Sequence, residues 1–164
     1  MNQRDTYCSC CGAKYKSSNY PKKCEACGNI AYLNPIPVAI VLIPVDDRGL
    51  LLVRRGIEPG IGKLAIPGGF MDLKETWQEA GAREIREETG IIIDHKNITL
   101  FSLISSPNGR LLTFCLSPKI SSKDIPPFQP NEETQELVIA TEPTELVFPI
   151  HTQIMKEFYN SPYA

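Results

Sequence analysis

The distribution of apolar residues along the chain predicts six strands. Apolar runs bounded by turn residues are typical of buried strands. On this basis strands are predicted over residues 38–45, 50–54, 91–93, 98–105, 111–117 and 136–140. Residues 46–49 form a turn between the first two strands, and the dipeptide Asn108-Gly109, typical of tight hairpin turns, joins the fourth and fifth.

Two helices complete the pattern. After a predicted turn at Gly68-Gly69, helix-favouring residues extend from about Glu75 to Thr89 and end at Gly90, where a C-terminal glycine is expected. A terminal helix over residues 151–159 directs Ile154, Met155 and Phe158 toward the core. Strands and helices do not alternate as regular βαβ units, so the chain is predicted to be an α/β (α+β) protein with a mixed sheet flanked by helices.

Three carboxylates share a stripe on the first helix. Glu84, Glu87 and Glu88 stand at positions i, i+3 and i+4, and small or apolar residues lie beside them in a helical projection. The same projection turns Arg83 mostly away, which leaves half-buried carboxylates without an obvious cationic partner. A solvated acidic face is the alternative for such a run, but these neighbours favour a site for a hard divalent cation, Mg²⁺ or Mn²⁺.

These residues belong to a longer motif. Gly69 is followed by five residues, Glu75, seven residues, and then Arg83-Glu84-Ile85-x-Glu87-Glu88-x-Gly90-Ile91. This pattern resembles the Nudix box at every fixed position. The resemblance implies an α/β/α sandwich and a metal-dependent enzyme that cleaves the diphosphate bond of a nucleoside diphosphate linked to another moiety.

The resemblance also implies roles for single residues. The carboxylates of Glu84, Glu87 and Glu88 would bind Mg²⁺ or Mn²⁺ together with the Gly69 carbonyl, and Glu84 or Glu87 would act on the attacking water. Arg83 would orient the neighbouring glutamates, and Glu75 would support the helix and loop. Members of the family often add an acidic residue from outside the box, for which the candidates here are Glu132, Glu133 and Glu136, the last two preferred; a solvated acidic loop is the competing interpretation.

The cysteines predict a second metal site. Cys8 and Cys11 with Gly12, and Cys24 and Cys27 with Gly28, form two C-x-x-C-G motifs, a spacing typical of a structural Zn²⁺ site with four thiolates. Redox pairs and disulfides are the alternatives, and Cys10 competes with Cys8 or Cys11 as a ligand. The segment resembles a zinc ribbon, whose folding energy comes mainly from the metal.

The paired prolines in Asn34-Pro35-Ile36-Pro37 predict a domain boundary. We expect a zinc ribbon over residues 1–33 and a catalytic domain over residues 34–164. The net charge of −2 gives no general attraction to nucleic acid. No apolar run is long enough to span a bilayer and no secretory signal is visible, so a cytoplasmic enzyme without a membrane partner is expected.

The combination of ribbon and Nudix box resembles the NADH pyrophosphatase and ADP-ribose pyrophosphatase branch. ADP-ribose, FAD or NADH would then be the substrate class, with Phe70, Phe101 or Phe114 as an aromatic wall for adenine. Residues 105–110 read SSPNGR, whereas NADH pyrophosphatases carry S-Q-P-W-P-F-P there, which weakens the case for NADH. The alternatives are an RNA-associated protein that removes caps or binds RNA through the ribbon, and a nucleoside triphosphate pyrophosphohydrolase. The resemblance also allows a homodimer.

Overall fold

The structure is a computed structural model that describes residues 6–47 and 49–164. The chain forms two compact units. The first unit extends to Pro35, and the second comprises Ile36–Ala164. Within the first unit, strands β1 (Lys22–Lys23) and β2 (Ile30–Ala31) pair antiparallel. No helix in the described residues is long and apolar enough to cross a membrane.

The described part of the second unit contains eight strands, two α-helices and two 3₁₀ helices, His95–Asn97 and Ser122–Asp124. The strands are β3 (Ile36–Leu42), β4 (Pro44–Val45), β5 (Gly49–Arg55), β6 (Leu64–Ala65), β7 (Gly68–Phe70), β8 (Thr99–Ser106), β9 (Arg110–Leu116) and β10 (Thr134–Ala140). The helices are α1 (Trp77–Thr89) and α2 (Pro149–Tyr159). The predicted strands other than 91–93, and both predicted helices, correspond to these elements.

The strands form two sheets. One has the order β7-β3-β9-β8 and is mixed, because β3 and β9 are parallel while the other neighbours are antiparallel. The other has the order β10-β5-β4, with β6 also paired to β5, and is antiparallel throughout. The predicted hairpin from β8 to β9 is present, and Gly109 at its tip has a φ of 78°, which favours glycine.

Alternate residues of β3 pack against different helices. Ile40 and Leu42 lie in a cluster with Met155 of α2, whereas Val41 lies in a second cluster with Ile85 of α1. Because successive strand residues point to opposite faces, the two helices cover opposite sides of the strands. This is the expected α/β/α sandwich. The three predicted core residues of α2, Ile154, Met155 and Phe158, are fully buried.

Helix α1 begins slightly later than predicted, because Thr76 caps it. The Thr76 hydroxyl accepts from the Glu79 N–H, and the Glu79 carboxylate accepts from the Thr76 N–H, which is a capping box. Gly90 ends the helix in the left-handed conformation, with a φ of 75°, as predicted.

Two local predictions were wrong. Gly68-Gly69 is not a turn but part of β7, which lies so close to β3 that a Cβ on Gly68 would collide with the Ala39 carbonyl. Residues 91–93 form no strand. Ile91 is buried and Ile92 is exposed, so the alternation resembles that of a strand, but no strand of the described chain pairs with this segment.

Candidate active site and thiolate cluster

The candidate active site lies where β7 meets α1. The Gly68 N–H donates to Oε2 of Glu88 over 2.9 Å, and the Phe70 carbonyl accepts from Nη2 of Arg83 over 2.9 Å. Gly69, between them, faces Glu84 so closely that a Cβ at this position would press against the carboxylate. The glycine motif therefore allows the β7 backbone to approach the acidic face of the helix.

Arg83 connects three glutamates. Its Nη1 lies 2.7 Å from Oε1 of Glu84 and 3.0 Å from Oε2 of Glu87, and its Nη2 lies 2.8 Å from Oε1 of Glu75. The expectation that the carboxylates lack a cationic partner was wrong, because a long side chain can bend back over a helix face that its Cα does not occupy. Hydrogen bonds from Arg83 lower the pKa of Glu75 and keep it ionised.

Glu84 and Glu88 are buried, whereas Glu87 is exposed. Burial raises the pKa of Glu84, although the Arg83 hydrogen bond opposes the change. Burial raises the pKa of Glu88 to about 8, although the Gly68 N–H lowers it. Burying ionised carboxylates costs free energy that a bound cation can offset, so these two side chains have the chemistry of metal ligands.

Of the two preferred additional acids, Glu133 is the one near this cluster. Its charge contributes to the raised pKa of both Glu84 and Glu88. Glu136 instead forms an ion pair of 2.7 Å with Arg54. Asn131 fixes the segment before β10, because its Oδ1 accepts from the Glu133 N–H and its Nδ2 donates to the Glu87 carbonyl. No sequence pattern indicated Asn131, since its contact with the Glu87 carbonyl joins positions 44 residues apart in the chain.

The four cysteines of the two C-x-x-C-G motifs come together. The Sγ atoms of Cys8, Cys11, Cys24 and Cys27 all lie within 4.8 Å of one another. Within residues 6–47 and 49–164 they are the one group of three or more His, Cys, Asp or Glu side chains gathered closely enough to hold a metal ion. The glutamates of α1 do not form such a close group among the described residues.

The two cysteine turns have the same backbone geometry. Gly12 donates to the Cys8 carbonyl over 2.9 Å, and Gly28 donates to the Cys24 carbonyl over 2.8 Å. Both glycines have a positive φ, 74° and 78°, which a residue with a side chain adopts at a cost. A repeated turn that presents two thiols from each side is typical of a zinc ribbon.

The four clustered thiols form no disulfide in the structure. The closest Sγ pairs, Cys8 with Cys27 and Cys11 with Cys24, are 3.6 Å apart, far longer than an S–S bond, and all cysteines are free. A hydrogen bond from the Cys11 backbone lowers the pKa of Cys8 to about 6, although burial opposes it. Against the effect of backbone hydrogen bonds, the pKa of Cys11 is raised by the neighbouring Cys24 thiol, and that of Cys27 is raised to about 12 by the Cys11 thiol and by burial, so the four thiols share few negative charges without a cation. Cys10 is exposed and lies outside the cluster.

The three phenylalanines proposed as an adenine wall differ in accessibility. Phe114 is fully buried, and Phe101 is partly buried with its ring against Tyr163. Phe70 is 53% exposed, and the Arg110 guanidinium lies 5.8 Å from the centre of its ring. Phe70 is therefore the accessible ring of the three, but because successive strand residues point to opposite faces and Phe70 pairs with Val38, its side chain points away from the face on which Gly69 meets Glu84.

Comparison with known proteins relates the chain to one family. The family model of the NUDIX domain matches residues 34–161. An ADP-ribose pyrophosphatase of Methanocaldococcus jannaschii is 44% identical over 77 residues, 47% of this chain and 44% of that protein. The NAD-capped RNA hydrolase NudC of Photobacterium profundum is 34% identical over 104 residues, 62% of this chain and 38% of that protein.

The fold also matches a solved structure. The crystal structure of a NUDIX hydrolase from Nitrosomonas europaea superimposes with a TM-score of 0.71 at 23% identity, covering 96% of this chain and 92% of that one. The matched segments span less than half the length of the two curated relatives.

Proposed function

The chain belongs to the Nudix family, and from this premise we propose that it hydrolyses the diphosphate bond of a nucleoside diphosphate linked to a second moiety, releasing a mononucleotide. The observation that carries the proposal is the pair of buried carboxylates, Glu84 and Glu88, that face the backbone of β7. We further propose that residues 1–33 are a zinc ribbon and residues 34–164 the hydrolase domain.

The residues present fit a divalent metal site. Glu84 and Glu88 are costly to bury as ionised groups, and Glu133 adds a third negative charge beside them. These two carboxylates, with Glu87 and the Gly69 carbonyl, would hold Mg²⁺ or Mn²⁺. Such ions neutralise the charge of a diphosphate and lower the pKa of a bound water.

The protein's own side chains would accept the proton of the attacking water and orient the carboxylates. Glu84 or Glu87 would accept the proton of the attacking water, and Arg83 keeps both carboxylates oriented through its hydrogen bonds of 2.7 and 3.0 Å. Glu75 fixes the other edge of the Arg83 guanidinium, which assigns it a supporting role. Glu133 would serve as the additional acid from outside the box.

A dinucleotide or nucleotide sugar, such as ADP-ribose, FAD or NADH, is the substrate class that we favour. One relative is named an ADP-ribose pyrophosphatase. Phe70 and Arg110 provide an accessible aromatic face and a cation on which an adenine ring can stack.

The second candidate function is removal of a nucleotide cap from RNA. It is favoured by the relative named NAD-capped RNA hydrolase and by the thiolate cluster, which we propose binds Zn²⁺ as a structural ion. The acidic net charge of −2 argues for the small-molecule enzyme.

One experiment separates the candidates. The purified protein is incubated in Mg²⁺ or Mn²⁺ with ADP-ribose, FAD, NADH, a nucleoside triphosphate and a short NAD-capped RNA, and the released mononucleotide or decapped RNA is quantified. We expect a higher kcat/KM for a free dinucleotide or nucleotide sugar than for the triphosphate or the capped RNA. A preference for the RNA would support the second candidate, and a preference for the triphosphate would exclude both.

A further inference from the structure

Arg55 stands at the edge of the candidate active site, at the end of β5. It pairs with Thr134 of β10, and the N–H of the following residue, Gly56, donates to the Glu133 carbonyl over 2.7 Å. Asn131 in turn links this segment to the Glu87 carbonyl at the end of α1. These backbone contacts place Arg55 beside Glu133, the additional acid proposed for the site of Glu84 and Glu88.

The Arg55 side chain is held in position through part of its guanidinium. Its Nε donates to the Pro59 carbonyl over 2.8 Å, and its Cζ lies 5.4 Å from the centre of the half-buried Phe148 ring. Phe148 itself packs against the buried His151 ring, with the centroids 4.9 Å apart. These contacts restrict the arginine before any ligand arrives, which lowers the entropic cost of binding.

The donors at the end of the Arg55 side chain have no protein acceptor in the part of the chain that the structure describes, and no carboxylate there forms an ion pair with it. Its neighbour Arg54 differs, because it is paired with Glu136 and also donates to the Gly62 carbonyl. Arg83 likewise donates hydrogen bonds to glutamates and to the Phe70 carbonyl. Arg55 is therefore a fixed cation with unused donors.

Arg55 lies close enough to Glu88 for its charge to act on that carboxylate. Burial lowers the pKa of His151, and Arg55 lowers it further, so the imidazole is neutral at pH 7 and does not compete for an anion. A guanidinium so placed has the geometry that binds phosphate oxygens through two parallel N–H groups.

We propose that Arg55 positions the substrate by donating its two Nη groups to phosphate oxygens of the diphosphate at the Glu84 and Glu88 carboxylates. The inference rests on the proposed function, because it assigns the ligand of the same site. Arg55 is a positioning residue: it binds the diphosphate in the ground state and in the transition state, so its loss weakens binding more than it slows turnover.

The test compares Arg55→Gln, Arg55→Lys and the control Arg54→Gln. Calorimetry measures the Kd of inorganic pyrophosphate in Mg²⁺, kinetics on ADP-ribose give KM and kcat, and thermal unfolding reports stability. In Arg55→Gln we expect the pyrophosphate Kd and the KM to rise about tenfold or more, the effect of losing a charge-assisted hydrogen bond, with kcat nearly unchanged. Arg55→Lys should be intermediate, and Arg54→Gln should match the wild type.

Unchanged pyrophosphate affinity in Arg55→Gln would overturn the inference, whatever happens to stability, because the arginine would then only fix the Pro59 loop. In that case hydrolysis of ADP-ribose by the wild type would still support the proposed function. Conversely, a wild type that hydrolyses no diphosphate substrate but binds pyrophosphate through Arg55 would refute the proposed function and leave the assignment of Arg55 intact.

Discussion

The backbone N–H of Gly68 donates a hydrogen bond of 2.9 Å to the carboxylate of Glu88, twenty positions later in the chain. This contact joins the short strand β7 to the last turn of α1. It gives a carboxylate that is only 7% exposed a single backbone donor, which does not compensate for its loss of hydration. Glu88 is therefore stable in the fold chiefly when it is protonated or bound to a cation.

The first prediction concerns Glu88→Gln. The amide oxygen can still accept from Gly68, but the cost of burying a charge is removed. In the presence of a chelator, the unfolding temperature of the variant should exceed that of the wild type. Because the pKa of Glu88 rises from 4.5 to about 8 on folding, the wild type loses the contribution of this group to stability as the pH rises through this interval, and the variant does not. Activity in Mg²⁺ should fall at least about a hundredfold, beyond the loss typical of outer-shell changes.

Glu87→Gln is the matched control for this prediction. Its carboxylate is exposed, so its replacement should reduce activity without the pH-dependent gain in stability. Parallel curves of unfolding temperature against pH for the wild type and Glu88→Gln would show that ionising the buried Glu88 carboxylate costs no stability.

The second prediction separates the two preferred additional acids. The charge of Glu133 contributes to the raised pKa of both Glu84 and Glu88, whereas Glu136 forms an ion pair of 2.7 Å with Arg54. We expect Glu133→Gln to lower kcat by about tenfold or more and Glu136→Gln to leave it within about twofold, since removing an exposed ion pair costs little. Steady-state kinetics at saturating Mg²⁺ provide the measurement. A larger loss of kcat in Glu136→Gln than in Glu133→Gln would make Glu136 the additional acid.

The sequence predicted the elements that repeat a simple period. The strands that became β3, β5, β8, β9 and β10 were recognisable as apolar runs, and Gly90 marked the end of α1 because a left-handed residue is needed there. The two cysteine turns were equally readable, since their glycines and thiols recur at the same spacing. In each case a local rule of backbone geometry determines the outcome.

The sequence did not predict features that depend on the conformation of long side chains or on contacts between distant segments. A helical projection fixes where Cα atoms point, so it could not show that Arg83 bends back to Glu84 and Glu87. The approach of Arg55 to the acidic site follows from the pairing of β5 with β10, which no local pattern indicates. Residues 91–93 were predicted as a strand because they are a run of three isoleucines, but a strand also requires a partner strand.

The third prediction concerns the thiolate cluster. Cys24→Ser removes one of four converging thiols, so we expect loss of about one zinc per chain and earlier unfolding of the first unit. Cys10→Ser is the control, because Cys10 lies outside the cluster and should retain the metal. Elemental analysis with limited proteolysis provides the measurement, and zinc loss in Cys10→Ser would make Cys10 a ligand.

The fourth prediction is an acid-dependent loss of stability caused by His151. Burial between Phe114 and Phe148 lowers its pKa from 6.5 to about 4. Between these two values the unfolded chain binds a proton that the folded chain does not, so the free energy of unfolding falls as the pH drops. The contribution at pH 4 is at most about 3 kcal/mol, since each pKa unit corresponds to about 1.4 kcal/mol.

His151→Leu retains an apolar side chain in the same place but cannot bind a proton. Denaturant unfolding of the wild type and the variant between pH 7 and pH 4 should give similar free energies of unfolding at pH 7 and an increasing advantage of the variant toward pH 4, because only the wild type loses the His151 contribution. The imidazole Nδ1 has no hydrogen-bond partner among the described residues, so its replacement should cost little at pH 7. A constant difference between the two proteins across this interval would mean that His151 is protonated in the fold as readily as in the unfolded chain.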